Sequence, residues 1–301
     1  MSEEFRCGYA CIIGRPNVGK STLLNKFIGQ KLSITSKKPQ TTRWRLLGIK
    51  STANYQIIFI DTPGLQNRRQ SSLNRHMQRE IVESLNYVNA IIFVIEALVW
   101  KQPEEQILSI IGNLKCPVLL LINKIDKLKN KELLLPFIDS ISAKYKFHEV
   151  IPVSANTSDN IELTEQTILP LLPITPAAFS VDQLSDRNER FFAAEFIREK
   201  LTRILGAELP YKISVTIEKF TDKGHAIHIC GNIWVESDNQ KKIVIGKNGR
   251  NLKYIGERSR KDMEQMFGKK VYLETWVNVR KKWTEDPRSL LQFGYETKAD
   301  S

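Results

Sequence analysis

The stretch GRPNVGKS, residues 14 to 21, has the spacing GxxxxGKS that builds a phosphate cradle. Gly14 and Gly19 let the backbone turn so that its N–H groups converge on phosphate oxygens. The helix expected to follow adds the partial positive charge of its N-terminus. Lys20 would reach the β- and γ-phosphates, and Ser21 would offer its hydroxyl to Mg²⁺. Arg15, Pro16, Asn17 and Val18 complete the loop, and Thr22 follows in the first helical turn. Three further pieces stand at the ends of apolar runs. DTPG (Asp61, Thr62, Pro63, Gly64) sets a carboxylate beside the metal and a flexible amide, Gly64, where it can sense the γ-phosphate. NKID supplies Asn123, Lys124 and Asp126. The Asp126 carboxylate suits the paired donors N1 and 2-amino of guanine, which adenine lacks, while Asn123 and Lys124 brace base and loop. SAN (Ser154, Ala155, Asn156) offers the Ala155 amide to the guanine O6. Four pieces at successive strand ends point to a GTP site.

Two more segments carry chemistry. In KKPQTTR (37 to 43) a loop threonine can complete the Mg²⁺ shell when the γ-phosphate is present. Thr42 is preferred, and Thr41 stays open as the alternative. The second segment, VIGKNGRNLKYIG (244 to 256), is also glycine-punctuated and basic. It lacks a hydroxyl for Mg²⁺, and no base-reading motif follows it. Gly246, Lys247, Asn248 and Gly249 fit instead the GxxG loop of a KH domain, which clamps a single-stranded RNA backbone. Lys247 and Arg250 would add phosphate contacts. Lys269, Lys270, Lys281 and Lys282 are weaker candidates, because charge runs usually mark solvated surface. Tyr254, Tyr272 and Trp276 fit base stacking, but core or domain-packing roles fit them at least as well, and they are not counted among the site residues.

The elements that must hold these residues change character along the chain. In the first half, YACIIG (9 to 14), RLLGIK, YQIIFID (55 to 61), NAIIFVI (89 to 95), PVLLLIN (117 to 123) and FHEVIPVS (147 to 154) read as strands. Helical patterns lie at 20–28, 72–87, 103–114, 131–144 and 158–170. Apolar runs without strict alternation suit a mostly parallel sheet covered on both faces. LPLLPITP (169 to 176) closes this half with three prolines. The expected organisation is a P-loop GTPase domain over 1–175, a linker over 176–187 and a small α/β RNA-binding domain over 188–301. Within the last, a helix over 188–205 stops near Gly206. Alternating strands follow at 211–220, 225–236 and 271–279, with helical spacing through Leu252, Ile255, Ser259, Met263 and Met266. The order α-β-β-α-α-β gives a three-stranded sheet with helices on one side.

Composition agrees with a polyanionic partner. The chain has 301 residues, 42% of them hydrophobic and 26% charged, with a formal charge of +12. Thirteen basic residues face four acidic ones between 241 and 282, and seven face none between 25 and 50. The longest apolar run, AIIFVIEALVW, is too short for a bilayer and is broken by Glu96. No secretory leader pattern opens the chain. The four cysteines form no CxxC pair, which suits buried thiols of a cytosolic protein better than a metal site.

With these residues in view, the arrangement resembles the translation-factor-like GTPases, and nearly the whole chain resembles the bacterial Era GTPases. GRPNVGKSTLLN, KPQTTR, DTPGL and NKID carry the first part of the likeness, and GAELPY, QKK-VIG and RKDM-MF the second. The resemblance implies a GTPase domain joined to a type II KH domain. It also implies binding near the 3′ end of small-subunit ribosomal RNA, under control of nucleotide state, in maturation of the small ribosomal subunit. Ras-like enzymes place a water-orienting glutamine after DxxG. Here Leu65 holds that place and Gln66 is out of register. Asn17 matches an asparagine of K⁺-stimulated relatives, so slow hydrolysis helped by K⁺ is expected. EALVW (96 to 100) departs from the family pattern and is expected to sit away from the nucleotide. The protein is expected to be a cytoplasmic monomer with no DNA partner. A nucleotide-gated RNA chaperone with negligible turnover and a regulatory GTPase at the inner face of the cell membrane stand as alternatives.

Overall fold

Most apolar runs of the first half become strands buried on both faces, while the run at 147–154 forms an edge strand that is only partly buried. The computed structural model describes residues 4–36, 38, 41–64, 84–206 and 209–295. β1 (Arg6–Ile13), β2 (Leu46–Ser51), β3 (Tyr55–Asp61), β4 (Ala90–Glu96), β5 (Val118–Asn123) and β6 (Glu149–Pro152) form one sheet in the order β2-β3-β1-β4-β5-β6. All neighbouring pairs are parallel except β2–β3. β1 has β3 on one side and β4 on the other, so the winding reverses there. The crevice beyond the carboxyl end of β1 is where ligands of such sheets bind.

Helices α1 (Lys20–Ile28), α2 (Gln102–Ile111), α3 (Leu134–Ser142) and α4 (Ile161–Ile168) cover this sheet. On one face Phe27 of α1 stacks on Phe59, with ring centroids 4.5 Å apart. On the other, Cys11, Phe93 and Ile95 share a core with Ile107 and Ile111 of α2. Each such buried side chain contributes about 1.5–3 kcal/mol by leaving water. Cys7 and Cys11 are free and buried, with no metal-like grouping of His, Cys, Asp and Glu among the described residues. The helix expected over 72–87 lies outside the described residues, as do Leu65 and Gln66. The proline-rich segment is hydrogen-bonded in place: Cys7 donates to the Pro173 carbonyl and Thr175 to that of Phe5. Residues 178 to 185 likewise lie along β2 and β3. Gln56 Oε1 accepts from the Ala178 and Phe179 amides, and Ser185 Oγ donates to Leu47 O at 2.6 Å.

The chain passes into a second compact unit between Asp186 and Arg187. Helix α5 (Glu189–Ile204) starts where Asn188 accepts a hydrogen from the Phe191 amide, and ends two residues before Gly206. A three-stranded sheet follows: β7 (Ser214–Asp222), β8 (Ala226–Val235) and β9 (Lys270–Val279), in that order. β7 and β8 are antiparallel, whereas β8 and β9 are parallel. A parallel pair needs a long crossover, supplied here by α6 (Asp238–Ile245) and α7 (Arg250–Phe267). GKNG is the corner between these two helices. Lys200, buried in α5, bonds Glu199 at 2.8 Å and also Asp262 of α7. A short helix absent from the sequence reading, α8 (Pro287–Gln292), ends the described chain. It is capped by Asp286, whose carboxylate accepts from the Arg288 and Ser289 amides.

Candidate functional site

The glycine loop joins β1 to α1 at the switch in winding. Gly19 takes φ 107°, and a Cβ there would fall 2.2 Å from Asn123 Nδ2, so both conformation and space demand glycine. Asn123 is the pin of the site. Its Nδ2 donates to Val18 O at 2.7 Å, and its Oδ1 accepts from the Lys124 amide at 2.8 Å and the Ala155 amide at 3.0 Å. The loop, NKID and SAN are thus held together by one side chain. Asp126 Oδ1 accepts from Ser154 Oγ at 2.7 Å. Asn17 sits exposed in the loop with φ 66°, and Asn156 is exposed beyond Ala155. Thr22 lies half-buried in the first turn of α1.

A second cluster forms where α1 meets β3. Asp61 is fully buried; its Oδ2 accepts from Ser21 Oγ at 2.8 Å and Ser33 Oγ at 2.8 Å, with Thr42 Oγ1 at 3.5 Å. Ser21 Oγ and Thr42 Oγ1 are 2.8 Å apart. The neighbouring Thr41 hydroxyl turns away and donates to Lys38 O at 2.7 Å. The geometry therefore separates two threonines that the sequence left open. Asp61 Oδ1 is buried with no hydrogen-bond partner. Burial pushes the Asp61 carboxyl up, against the lowering effects of Lys20 and the three hydroxyls. Burial likewise brings the Lys20 ammonium down to about 8, while Lys20 Nζ donates to the Gly14 and Arg15 carbonyls at 3.0 and 3.2 Å. A desolvated ammonium and a desolvated carboxylate with an unsatisfied oxygen each fit an added counter-charge: phosphate for the first, a hard cation for the second. Thr62 Oγ1 donates to Ile12 O at 2.9 Å, Pro63 is buried, and a Cβ on Gly64 would meet Pro16 at 2.8 Å. DTPG is packed directly on the phosphate loop.

The Ala155 amide, expected at a guanine carbonyl, donates to Asn123 Oδ1 at 3.0 Å. One expectation changes. Glu96, first residue of EALVW, is not remote. Its carboxylate bonds Arg15 of the loop and Lys124 of NKID, each at 3.0 Å, and Arg15 also reaches buried Glu104 at 2.5 Å. Burial alone would raise the Glu96 carboxyl, but Lys124 and Arg15 outweigh it and hold it below the ordinary range. Sequence reading missed Glu96, Glu104 and Ser33 because they are brought in by distant pairings. β4 ends beside β5 with Glu96 opposite Asn123. Ser33 is held by Asn25, which accepts from the Leu32 and Ser33 amides.

In the second unit, Gly246 has φ 73° and Gly249 φ 75°, and Asn248 between them also lies in the left-handed region at 52°. A Cβ on Gly246 would meet Asn251 at 2.7 Å. Asn251 donates to Ile243 O at 2.9 Å and ties the end of α6 to the start of α7. Lys247, Asn248 and Arg250 are exposed at this corner.

A model of the family described as "50S ribosome-binding GTPase" matches residues 9–124, and a KH domain model matches residues 208–284. The protein named GTPase Era of Marinobacter nauticus is 48% identical over 97% of this chain and 95% of its own length. That of Coxiella burnetii is 48% identical over 96% of this chain and 98% of its own. The chain belongs to the Era family of GTPases. Two Era crystal structures superpose with a TM-score of 0.93 over 97% of this chain and all of theirs. One, 40% identical, is Era in complex with MgGDPNP and nucleotides 1506–1542 of 16S ribosomal RNA. The other, 39% identical, is an Aquifex aeolicus Era variant bound to GDP·AlF4⁻.

Proposed function

We propose that this protein hydrolyses GTP in its first domain and uses its second to hold small-subunit ribosomal RNA near the 3′ end, assisting assembly of the small ribosomal subunit. One observation supports this most strongly: a nucleotide site pinned by Asn123 and an exposed GKNG corner occur in one chain that matches RNA-bound Era along nearly its whole length. The family model named for the 50S subunit covers the first domain alone; the full-length match, with 16S RNA, bears more directly on the partner.

Each residue then has a role. The backbone N–H groups of the 14–19 loop, Pro16 excepted, and the Lys20 ammonium hold the phosphates, and Asp126, steadied by Ser154, accepts from the guanine N1 and 2-amino groups. Ser21, Thr42 and Asp61 form the oxygen set that would hold Mg²⁺, with Ser33 orienting the carboxylate from behind. When bound, that ion neutralises charge on the β- and γ-phosphate oxygens. The Gly64 amide, against Pro16, reports whether a γ-phosphate is present. None of these residues is a strong general base, so catalysis rests on positioning and charge, and intrinsic turnover is slow. Asn17, at the loop's exposed turn, is the K⁺ contact on this reading. Lys247 and Arg250, both exposed, take RNA phosphates beside the half-buried glycines. On this reading the protein acts as a monomer in the cytoplasm. Multiple-turnover GTP hydrolysis in K⁺ and in Na⁺ tests the catalytic half: we expect slow turnover, faster in K⁺, and Asn17→Ala should remove the difference. Negligible turnover in either salt would contradict it.

A further inference from the structure

The three-stranded sheet carries α5 and α7 on one face, and its other face is treated unequally along its length. At one end the C-terminal segment roofs it. Trp234 lies against Phe293, with ring centroids 5.3 Å apart, and Trp283, fully buried, donates from Nε1 to Lys212 O at 3.1 Å. At the other end, two large rings on β9 are left open: Tyr272 is 56% exposed and Trp276 62%. Four residues apart on one strand, they point the same way and stand about 13 Å apart. Tyr272 pairs across the sheet with His228, ring centroids 4.8 Å apart and tilted by 32°. Between the two rings Glu274 stands opposite Cys230. Beside Trp276, Asn232 accepts from Asn278 at 3.0 Å and donates to Glu218 at 2.9 Å. The exposure of both rings removes core packing as their explanation.

We propose that this half of the open face is a second platform for single-stranded RNA, separate from the GKNG corner. Bases stack on Tyr272 and Trp276, Glu274 accepts from exocyclic amino groups, and Lys219 and Lys270 at the margins take phosphates. The chemistry favours RNA over a protein partner. The outward positions offer planar rings set among polar groups, with no large aliphatic side chain among His228, Cys230, Asn232, Tyr272, Glu274 and Trp276. Lysines 219, 223, 269 and 270 border the surface; of the acids there, Asp222 is paired with Lys269, Glu218 is bonded to Asn232, and Glu274 stands between the rings. α7, 18 residues and about 27 Å long, separates GKNG from the start of β9 and lies on the opposite face of the sheet, so an RNA held at both grips passes round the edge of the domain. It also answers a question of length. A GxxG loop clamps about four nucleotides, whereas the RNA held by the structural relative spans nucleotides 1506–1542.

The inference rests on the RNA-binding reading above, and the test separates the two. Fluorescence anisotropy of the full chain is measured with a labelled single-stranded tetranucleotide and with the small-subunit 3′ segment. Tyr272→Ala/Trp276→Ala should bind the long RNA at least about tenfold more weakly while leaving the tetranucleotide and GTP affinities unchanged. Tyr272→Phe/Trp276→Phe, which keeps rings for stacking, should retain most of the affinity. Wild-type binding of the long RNA by the alanine variant would overturn the proposal. Equal loss of both RNAs would overturn it as well. Lys247→Glu/Arg250→Glu should weaken both RNAs; if it weakens neither, the reading of the GKNG corner fails instead.

Discussion

Glu96→Gln removes the charge that binds the phosphate loop to the base-reading motif. Its carboxylate meets Arg15 and Lys124 at 3.0 Å each, and the three side chains are 29%, 15% and 21% exposed. At an effective dielectric of about 20 and a separation of 3.0 Å, each pair is worth roughly 5–6 kcal/mol of gross attraction. Desolvation and side-chain ordering cancel most of that, and exposed pairs retain at most about 1 kcal/mol. Two half-buried pairs together should therefore contribute about 1–2 kcal/mol to holding Arg15 and Lys124 in place, which is about 5- to 30-fold in GTP and GDP affinity. The Ser21–Thr42–Asp61 cluster is held together by its own hydroxyls and Ser33, so single-turnover hydrolysis at saturating GTP should stay within about threefold of wild type, as expected when the lost interaction is shared by ground and transition states. Fluorescent-nucleotide titration and a single-turnover assay read the two quantities separately. Unchanged affinity, or a fall in the saturated rate as large as the fall in affinity, would refute the reasoning.

Two other substitutions probe the assignments within the site. Asp126→Asn should shift preference from GTP toward XTP, by exchanging an acceptor for a group that matches a base carbonyl; competition binding with unchanged preference would mean that NKID does not read the base. Thr42→Ala should raise the Mg²⁺ concentration needed for half-maximal hydrolysis, whereas Thr41→Ala should leave it nearly unchanged; a Mg²⁺ titration giving the reverse order would move the ligand to Thr41.

Much of this was visible in the residues because the nucleotide motifs are local. GRPNVGKS, DTPG and NKID each pack their chemistry into a few positions at a strand end, and unbroken apolar runs such as AIIFVI are buried throughout. What stayed hidden depends on which strands become neighbours. Glu96 looked remote until β4 paired with β5 and set it opposite Asn123. Thr41 and Thr42 differ by one backbone step, and the direction of a loop side chain has no periodicity to betray it. The C-terminal helix did leave a signal. Asp286 before Pro287 is an N-cap followed by proline in the first turn, and Leu290 and Phe293 then bury themselves three residues apart. Tyr272 and Trp276 were ambiguous in an alternating strand, because alternation says which residues share a face and not which face is covered.

The central claim is that one glycine loop serves GTP and the other serves RNA. Lys247→Glu/Arg250→Glu tests it most directly, with RNA and GTP affinities measured on the same preparation. The account predicts that affinity for the small-subunit 3′ segment falls by at least tenfold, with a shallower salt dependence as roughly two phosphate contacts are lost, while GTP binds as in the wild type. Loss of GTP binding in parallel with RNA, or undiminished RNA binding, would contradict it.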